Sequence, residues 1–461
     1  MQYFTPRGAN RFAGDCMPFY HAGTFHLFWL LDTGHHRSLG GWGGHVWAHA
    51  SSRDLKTWQH HPVALALGPQ GSYDQSSICT GSVIEHKGTF YAFYTARANN
   101  PKWRGQRERV CLATSRDLIS FEKWPGNPIL TLPKGYADRF DSPFVVQRGR
   151  ASFDLIIASN RKQHPLHQRN GVLLRYRSRD LMDWRFEGEF LQPGGLGTPE
   201  CPDCFEWNGW HYLIFSHGLV THYRMSRRPH GPWLCPPVDT FEGSMARVMK
   251  TAGFRDGRRI GAAFIGTRYG NKDNGRPRWG GNIVLRELVQ NEDGTLGVKF
   301  PAEAIPPSTP ARTPKPKTLT PKAEVRSGGV VLPNAHSLEA AVLRPVPRNV
   351  RIRLRVRPRP DARRFGLKLR ADAAARTGYD LEFDGGARAV RLHNESIAAV
   401  EGLDKPFSLD VVLKDDIIDV CIGDRRCLIN RCPELHGEHV FLYSYCGRVA
   451  FERIALGPLA P

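Results

Sequence analysis

The stretch Ser52-Arg-Asp-Leu-Lys-Thr-Trp58 occurs twice more along the chain in altered form. The other copies are Ser115-Arg-Asp-Leu-Ile-Ser-Phe121 and Ser178-Arg-Asp-Leu-Met-Asp-Trp184, and consecutive copies are 63 residues apart. A repeat of this length, made of short strands and turns, is typical of β-propeller blades rather than of helical repeats. Each copy most simply caps the turn after the third strand of a blade, with its aromatic side chain packed between blades.

A second repeated feature is a short strand of aromatic and aliphatic residues, which in four of five cases follows a glycine-bearing turn. Five copies of this strand predict five blades. They lie at residues 24–29, 89–94, 152–157, 210–215 and 259–264.

The remainder of the chain predicts a linker and a second domain, as expected for 461 residues. Residues 305–322 are rich in proline and lack apolar periodicity, which favours a linker. Strand-like pieces then recur at close intervals, as in an antiparallel sandwich. We therefore predict an all-β protein, with a five-bladed β-propeller over residues 1–304, a linker over 305–322 and a C-terminal β-sandwich over 323–461.

Composition argues against several classes of protein. The longest apolar runs are far shorter than the roughly 20 residues of a membrane span. The first residues lack a basic region followed by an apolar stretch, so we expect no secretory signal and a cytoplasmic location. The ten cysteines are scattered, which indicates mostly reduced thiols rather than a disulfide framework.

The net charge of +20 invites a nucleic-acid interpretation. However, the arginines are spread along the chain, and in Arg351-Ile-Arg-Leu-Arg-Val-Arg357 they alternate with apolar residues, as on the solvated face of a strand. We therefore predict no nucleic-acid partner. The pair in Cys201-Pro-Asp-Cys204 lacks a second pair with zinc-site spacing, so we predict no metal.

Three carboxylates precede repeated strands at nearly equal distances. Asp15 lies ten residues before Phe25, Asp141 lies twelve before Phe153, and Glu200 lies eleven before His211. Because the innermost strands of a propeller line one central channel, we expect these acids to meet there.

A cluster of this kind suits glycoside hydrolysis, which needs one protonated carboxyl and one ionised carboxylate. Crowding and partial burial separate the two pKa values. The alternative is that the acids bind water or a cation and stiffen the ring.

Aromatic and small polar residues near the inner edge of the second blade favour a sugar ligand, because sugar faces are apolar patches rimmed by hydroxyls. The candidates for substrate binding are Trp42, Trp47, His49, Thr80 and Ser82.

At these positions the sequence resembles glycoside hydrolase family 32, the invertases, levanases and inulinases. The segment Thr198-Pro-Glu-Cys-Pro-Asp203 is similar to the family's E-C-P-D motif, and residues 47–58 are similar to its W-G-H-A-x-S-x-D-L-x-x-W segment. Residues 279–288 resemble a late W-x-G-x-x-x-x-R-E-L stretch, and the final domain resembles the family's sandwich.

The resemblance implies that Glu200 is the general acid/base and Asp15 the nucleophile of a retaining β-fructofuranosidase. It adds Asp203 to the substrate-binding candidates. Leu30 replaces the family's glutamine, and Asp32 is the candidate to contact a sugar hydroxyl instead. The family's R-D-P is here Asp141-Ser-Pro143, so either Asp141 or Ser142 takes the stabilising position.

Two other readings stay open beside this one. The first is an inverting furanosidase or xylosidase similar to family 43, and the second is a carbohydrate-binding propeller whose catalytic set has decayed. None of the three requires a metal or another cofactor, and the oligomeric state is left open.

Overall fold

A computed structural model describes residues 1–8, 11–33, 43–99, 102, 107–163, 165–166, 168–333 and 336–460. The described chain is almost entirely β-structure and divides into two compact units. The N-terminal unit comprises Met1–Thr240, Ala246–Gly266 and Trp279–Leu296. The C-terminal unit comprises Phe241–Met245, Thr267–Arg278 and Gly297–Pro461.

Helical structure in the described chain is limited to short turns. The 3-10 helices of the described chain are Arg255–Gly257 and Tyr269–Asn271. Within the described ranges, no helix combines the length and the apolar character needed to cross a bilayer.

The described strands up to Lys299 form five groups of consecutive antiparallel strands, and within each group every strand pairs with the next, except that β9 pairs with β7 rather than with β8. The first two groups contain nine strands. They are β1 (Phe12–His21), β2 (Thr24–Asp32), β3 (Val46–Ser52) and β4 (Gln59–His60), then β5 (Ser77–His86), β6 (Thr89–Arg97), β7 (Glu108–Ser115), β8 (Glu122–Lys123) and β9 (Leu130–Thr131).

The other three groups follow the same pattern, and their second strands, like those before, coincide with the repeated strands predicted from the sequence. They are β10 (Tyr136–Gly149), β11 (Ser152–Arg161), β12 (Gly171–Ser178) and β13 (Arg185–Leu191), then β14 (Glu200–Trp207), β15 (Trp210–His217) and β16 (Val220–Ser226), then β17 (Ala246–Gly253), β18 (Arg259–Arg268), β19 (Pro277–Gln290) and β20 (Leu296–Lys299).

The first strands of the five groups close a ring. Strand β1 contacts β5, β5 contacts β10, β10 contacts β14, β14 contacts β17, and β17 contacts β1. The first and last groups also share one sheet, because β1 pairs with β19 at Ala13 and Gly281. This closed arrangement supports the predicted five blades.

The repeated Ser-Arg-Asp-Leu turns follow the third strands, as predicted. In the first copy, the Ser52 hydroxyl accepts the Leu55 N–H at 2.8 Å, and the Asp54 carboxylate accepts the Thr57 N–H at 2.7 Å. The same bonds recur in the other two copies. The capping role is therefore confirmed.

The aromatic residues of two of these turns pack between groups, as predicted, whereas Trp58 contacts Phe25 of its own group at 6.2 Å. Phe121 of the second group lies 5.8 Å from Phe28 of the first, and Trp184 of the third lies 5.6 Å from Phe93 of the second, as ring centroids. Edge-to-face pairs of this kind stabilise packing beyond the area they bury.

The C-terminal unit is a sandwich of two seven-stranded antiparallel sheets around one apolar core. The sheets have the orders β21-β24-β33-β26-β27-β28-β29 and β22-β23-β34-β25-β30-β31-β32. Their strands are β21 (Lys317–Thr318), β22 (Glu324–Arg326), β23 (Gly329–Leu332), β24 (Glu339–Leu343), β25 (Val350–Pro358), β26 (Arg364–Ala371), β27 (Tyr379–Asp384), β28 (Ala389–Leu392), β29 (Glu395–Ile397), β30 (Phe407–Lys414), β31 (Ile417–Ile422), β32 (Arg426–Arg431), β33 (His439–Cys446) and β34 (Val449–Pro458).

The arginine-rich strand β25 has the predicted alternation. Its apolar residues are buried, whereas Arg353, Arg355 and Arg357 are exposed on the solvent face. These charges therefore belong to an ordinary half-buried strand.

The proline-rich segment 305–322 runs along the sandwich for part of its length. Arg312 exchanges backbone hydrogen bonds with Leu456 at 2.9 Å, and β21 pairs with β24.

The segments 241–245 and 267–278 also belong to the C-terminal unit, although they interrupt the N-terminal unit in sequence. The boundaries at residues 304 and 322 stay a prediction.

Candidate active site

A β-bulge at one common level positions the candidate site. All five first strands shift register there, leaving two residues of each strand without ladder partners. Bulges bend a strand and re-aim its side chains, and they are frequent beside active sites. In three of the bulges a residue other than glycine has a positive φ, which signals local backbone strain. These residues are Ser142 (60°), Cys201 (54°) and Val248 (57°).

A cavity of about 170 Å³ lies at the level of the bulges and is lined by all five first strands. Three acids and three arginines give it a strongly polar wall. The lining residues are Asp15, Leu30, His45, Cys79, Thr80, Arg97, Arg107, Arg139, Asp141, Glu200, Cys201, Val248 and Trp279. The structure thus brings Asp15, Asp141 and Glu200 together from three different strand groups.

Asp15 is 9% exposed and is held by uncharged donors. The Thr80 hydroxyl donates to its Oδ2 at 2.5 Å, and the Trp279 indole donates to its Oδ1 at 3.2 Å. The Cys201 thiol lies 3.5 Å from Oδ2. Because both oxygens accept hydrogen bonds, the side chain is held in one orientation.

Asp141 is 5% exposed and lies between two guanidinium groups. Arg97 Nη2 is 3.3 Å from its Oδ2, and Arg139 Nη2 donates to the same oxygen. Burial alone would raise the pKa of Asp141, but Arg139 and Arg97 hold it below its ordinary value. Asp141 is therefore an anion at neutral pH.

Glu200 faces the cavity with 39% of its side chain exposed, and its Oε1 is 2.8 Å from Arg139 Nη2. Desolvation raises the pKa of this carboxyl, Arg139 opposes the rise, and the Asp141 and Asp15 charges add to it. Two acids of one cavity thus have pKa values shifted in opposite directions, Asp141 downward and Glu200 upward. This is the pattern expected of acid/base sites.

A buried ion-pair network supports the arginines behind the acids. Glu108 Oε1 accepts from Arg97 Nη2 at 2.7 Å, and its Oε2 accepts the Phe140 N–H at 2.8 Å. Arg139 Nε lies 3.4 Å from the same Oε2. Glu108 therefore fixes both guanidinium groups that contact Asp141.

Trp279 and His45 complete one wall of the cavity. Their rings stack with centroids 4.5 Å apart at 25°. A Cβ atom at Gly14 would lie 2.0 Å from the Trp279 ring, so only glycine permits this close approach. Sequence reasoning had placed Trp279 in a motif without giving it a role, and it had missed His45, Arg97 and Arg139.

Three predicted ligand residues do not line the cavity. Trp47 is fully buried in an apolar cluster, with its indole donating to the Cys79 carbonyl at 2.8 Å. Asp32 is fully buried and lies 3.7 Å from His45 Nε2, behind the wall. Ser82 accepts the Val145 N–H at 3.0 Å and so ties β5 to β10. These positions indicate structural roles. Trp42 lies outside the described residues.

Asp203 and Ser142 also lie beside the cavity rather than in its lining. Asp203 Oδ2 accepts the Thr251 N–H at 2.7 Å and the Thr251 hydroxyl at 2.5 Å, joining β14 to β17. The Ser142 hydroxyl is 3.3 Å from Cys201 Sγ, and the Ser142 N–H donates to Asp141 Oδ1 at 2.7 Å.

His49, a further predicted ligand residue, lies in a buried stack of aromatic rings instead. Its ring stacks on Phe28 at 4.2 Å and on His61 at 4.4 Å, and its Nε2 is 3.1 Å from His26 Nδ1. Burial, with the neighbouring His61, lowers the pKa of His26 to about 4 and that of His49 to about 2.

Acidification should destabilise the protein through this stack. His26 and His49 stay neutral when folded but bind protons near pH 6.5 when unfolded, so stability is lost as the pH falls below about 6.5. At pH 5 we expect a loss of about 2 kcal/mol per histidine. Urea unfolding at pH 7.5 and at pH 5 measures this loss in the free energy of unfolding. The His26→Gln/His49→Gln variant should lose less on acidification than the wild type, whereas His336→Gln should match the wild type.

Comparison with known proteins finds similarity to carbohydrate hydrolases. The model of the glycosyl hydrolases family 32 N-terminal domain matches residues 15–229, which include all three cavity acids. A sucrose-6-phosphate hydrolase from Escherichia coli is 29% identical over 59% of this chain and 58% of that protein. A raffinose invertase from the same organism is 31% identical over 60% of this chain and 59% of that protein. The chain thus spans less than two thirds of these relatives' length.

Solved structures share the fold over nearly the full length. Fructan 1-exohydrolase IIa from Cichorium intybus matches with a TM-score of 0.76 and 17% identity, covering 100% of this chain and 97% of that chain. A sucrose-6-phosphate hydrolase from Lactobacillus gasseri matches with a TM-score of 0.73 and 14% identity, covering 100% and 93%. The predicted all-β fold, a β-propeller followed by a β-sandwich, is confirmed. Residues 15–229 thus match the family 32 N-terminal domain, and the chain as a whole shares the fold of these solved structures.

Proposed function

We propose that the protein is a retaining, exo-acting β-fructofuranosidase that hydrolyses a furanoside of the sucrose or fructo-oligosaccharide type. The observation that carries the proposal is the convergence of Asp15, Asp141 and Glu200 on one cavity. Homologues named for the hydrolysis of sucrose 6-phosphate and of raffinose support the substrate class.

In the proposed first step, a carboxylate oxygen of Asp15 bonds to the anomeric carbon while the bond from that carbon to the leaving oxygen breaks. Glu200 transfers its proton to that oxygen. In the second step, Glu200 removes a proton from water, and the water oxygen displaces Asp15 from the anomeric carbon. This mechanism expects the two carboxyl groups about 5–5.5 Å apart.

The surroundings of each acid suit its proposed part. Glu200 has a pKa raised by burial, which keeps a larger fraction of it protonated for donation. Asp15 keeps both oxygens oriented by Thr80 and Trp279. Asp141 is proposed as the residue that binds sugar hydroxyls, in place of Ser142, because Asp141 lines the cavity and Ser142 faces Cys201.

The size of the cavity supports action at a chain end. At about 170 Å³ it is smaller than the ~300–1,000 Å³ of pockets for drug-sized ligands. A space of this size suits about one sugar ring, with the leaving group outside. We further propose that the partner of this protein in the cell is a carbohydrate and that its location is cytoplasmic, in keeping with ten cysteines outside disulfide bonds in the described structure.

One observation favours a non-catalytic alternative. Arg139 contacts Glu200 at 2.8 Å, and such an ion pair stabilises the ionised form rather than the acid. A carbohydrate-binding propeller needs no proton donor, so this contact is compatible with that function.

Turnover and product stereochemistry test the proposal. The protein is incubated with sucrose, sucrose 6-phosphate, short fructans and an aryl β-fructofuranoside, and early products are followed by NMR. We expect release of fructose, or of its phosphate ester, with retained configuration. Inverted product would indicate the family 43 type of mechanism, and binding without turnover of the whole panel would indicate a lectin-like protein.

A further inference from the structure

Lys250 is a buried cation beside the cavity that the proposed mechanism leaves unused. It lies on β17, where its backbone pairs with Ala262 at the end of the bulge, and it is 2% exposed. Its ammonium lies 4.9 Å from the centroid of the Phe144 ring. Lysine is almost never fully buried unless its charge is compensated, so this position needs a reason.

The first reason is the backbone of the neighbouring bulge. Pro202 is buried, and it lies in the bulge between the ladder pairs Glu200–Ser216 and Asp203–Ile214, without a ladder partner of its own. Lys250 Nζ donates to the Pro202 carbonyl at 2.8 Å. A buried carbonyl without a hydrogen bond is costly, and Lys250 removes that cost in the strained turn after Glu200.

The second reason is charge. Burial lowers the pKa of Lys250, and the surrounding acidic groups, Cys201, Asp203, Asp15 and Asp141, oppose that effect. Arginines already contact Asp141 and Glu200, whereas the hydrogen bonds described for Asp15 come from uncharged donors. The neighbouring acidic groups therefore offset part of the cost of burying Lys250.

We propose that Lys250 is a positioning residue for the catalytic pair: through its hydrogen bond to the Pro202 carbonyl it fixes the 201–202 bulge that presents Glu200. The proposal rests on the proposed glycosidase function. The three acids of the proposed reaction lie on the first, third and fourth strand groups, whereas Lys250 lies on the fifth.

The test compares Lys250→Met with Lys250→Arg and with the control Lys123→Met. Methionine keeps the length of the side chain but neither the donor nor the charge. We expect kcat to fall about 10–100-fold with KM changed less than about threefold, because small misplacements of a catalytic group are costly. Arginine should restore kcat to within about tenfold of the wild type. Lys123 also donates to a backbone carbonyl and pairs with Asp74, yet it lies outside the cavity lining, and its variant should keep wild-type kcat.

Thermal unfolding and a crystal structure separate positioning from general stability. Lys250→Met should lower the Tm by several degrees, because it leaves the buried Pro202 carbonyl without its donor, yet the variant should stay folded at the assay temperature. In its crystal structure we expect the Pro202 carbonyl and the Glu200 carboxyl to be displaced. Unchanged kcat with an unchanged bulge would overturn the proposal, as would a loss of kcat accompanied by a proportional loss of folded protein. A wild type without turnover would overturn the proposed function instead, and the displacement of Glu200 would still decide the role of Lys250.

Discussion

Glu200→Gln should lower kcat on sucrose-type substrates by roughly 10²–10⁴-fold, because glutamine cannot donate a proton to the leaving oxygen. The loss should be much smaller on an aryl β-fructofuranoside with a good leaving group, since such a group departs without protonation. Comparing initial rates on the two substrates therefore identifies the acid, beyond a general loss of activity.

Glu206→Gln is the matched control for this experiment. Glu206 lies on the same strand, β14, but its side chain is exposed. We expect its variant to keep wild-type rates on both substrates. Equal losses on both substrates for Glu200→Gln would argue against an acid role and favour a binding role for this carboxyl.

Asp15→Gly should have the largest effect, a loss of about 10⁴-fold or more on every substrate, including the aryl glycoside. The reason is that the first step needs a nucleophile whatever the leaving group is. Added azide can occupy the space of the missing carboxylate and attack the anomeric carbon, so a fructosyl azide of inverted configuration should form from the aryl substrate.

The control is Asp183→Asn, which alters an exposed acid in a turn of the third group. It should behave as the wild type, with no effect of azide. If Asp15→Gly retained more than about one hundredth of the wild-type rate, Asp15 would not be the nucleophile, and one of the other cavity acids would have to be considered.

The sequence repeats predicted the structural features that recur from blade to blade. The Ser52 turn and its copies predicted third-strand ends, and the near-equal offsets of Asp15, Asp141 and Glu200 predicted that they would meet. Repetition carries this information because equivalent residues of successive blades occupy equivalent levels of the ring.

The remaining parts of the site depend on contacts that do not repeat. Trp279 reaches Asp15 across 264 residues of sequence, and Glu108 joins Arg97 to Arg139 only after two blades have packed. His49 was predicted near the inner edge of the second blade, whereas it lies on β3, the third strand of the first group, where it stacks on Phe28. The predicted domains were single uninterrupted ranges of sequence. They therefore missed the segment Thr267–Arg278, which belongs to the C-terminal unit although the residues on both sides of it belong to the N-terminal unit.

The pairing of β1 with β19 has a consequence during synthesis of the protein. Strand β1 bears Asp15 and leaves the ribosome early, whereas β19, with the Trp279 that donates to Asp15, follows more than 250 residues later. A nascent chain that has emerged only as far as β16 contains all three acids but lacks the strand that fastens the first of them. Under the proposed mechanism we therefore expect a chain of this length to lack an oriented nucleophile and to show no turnover.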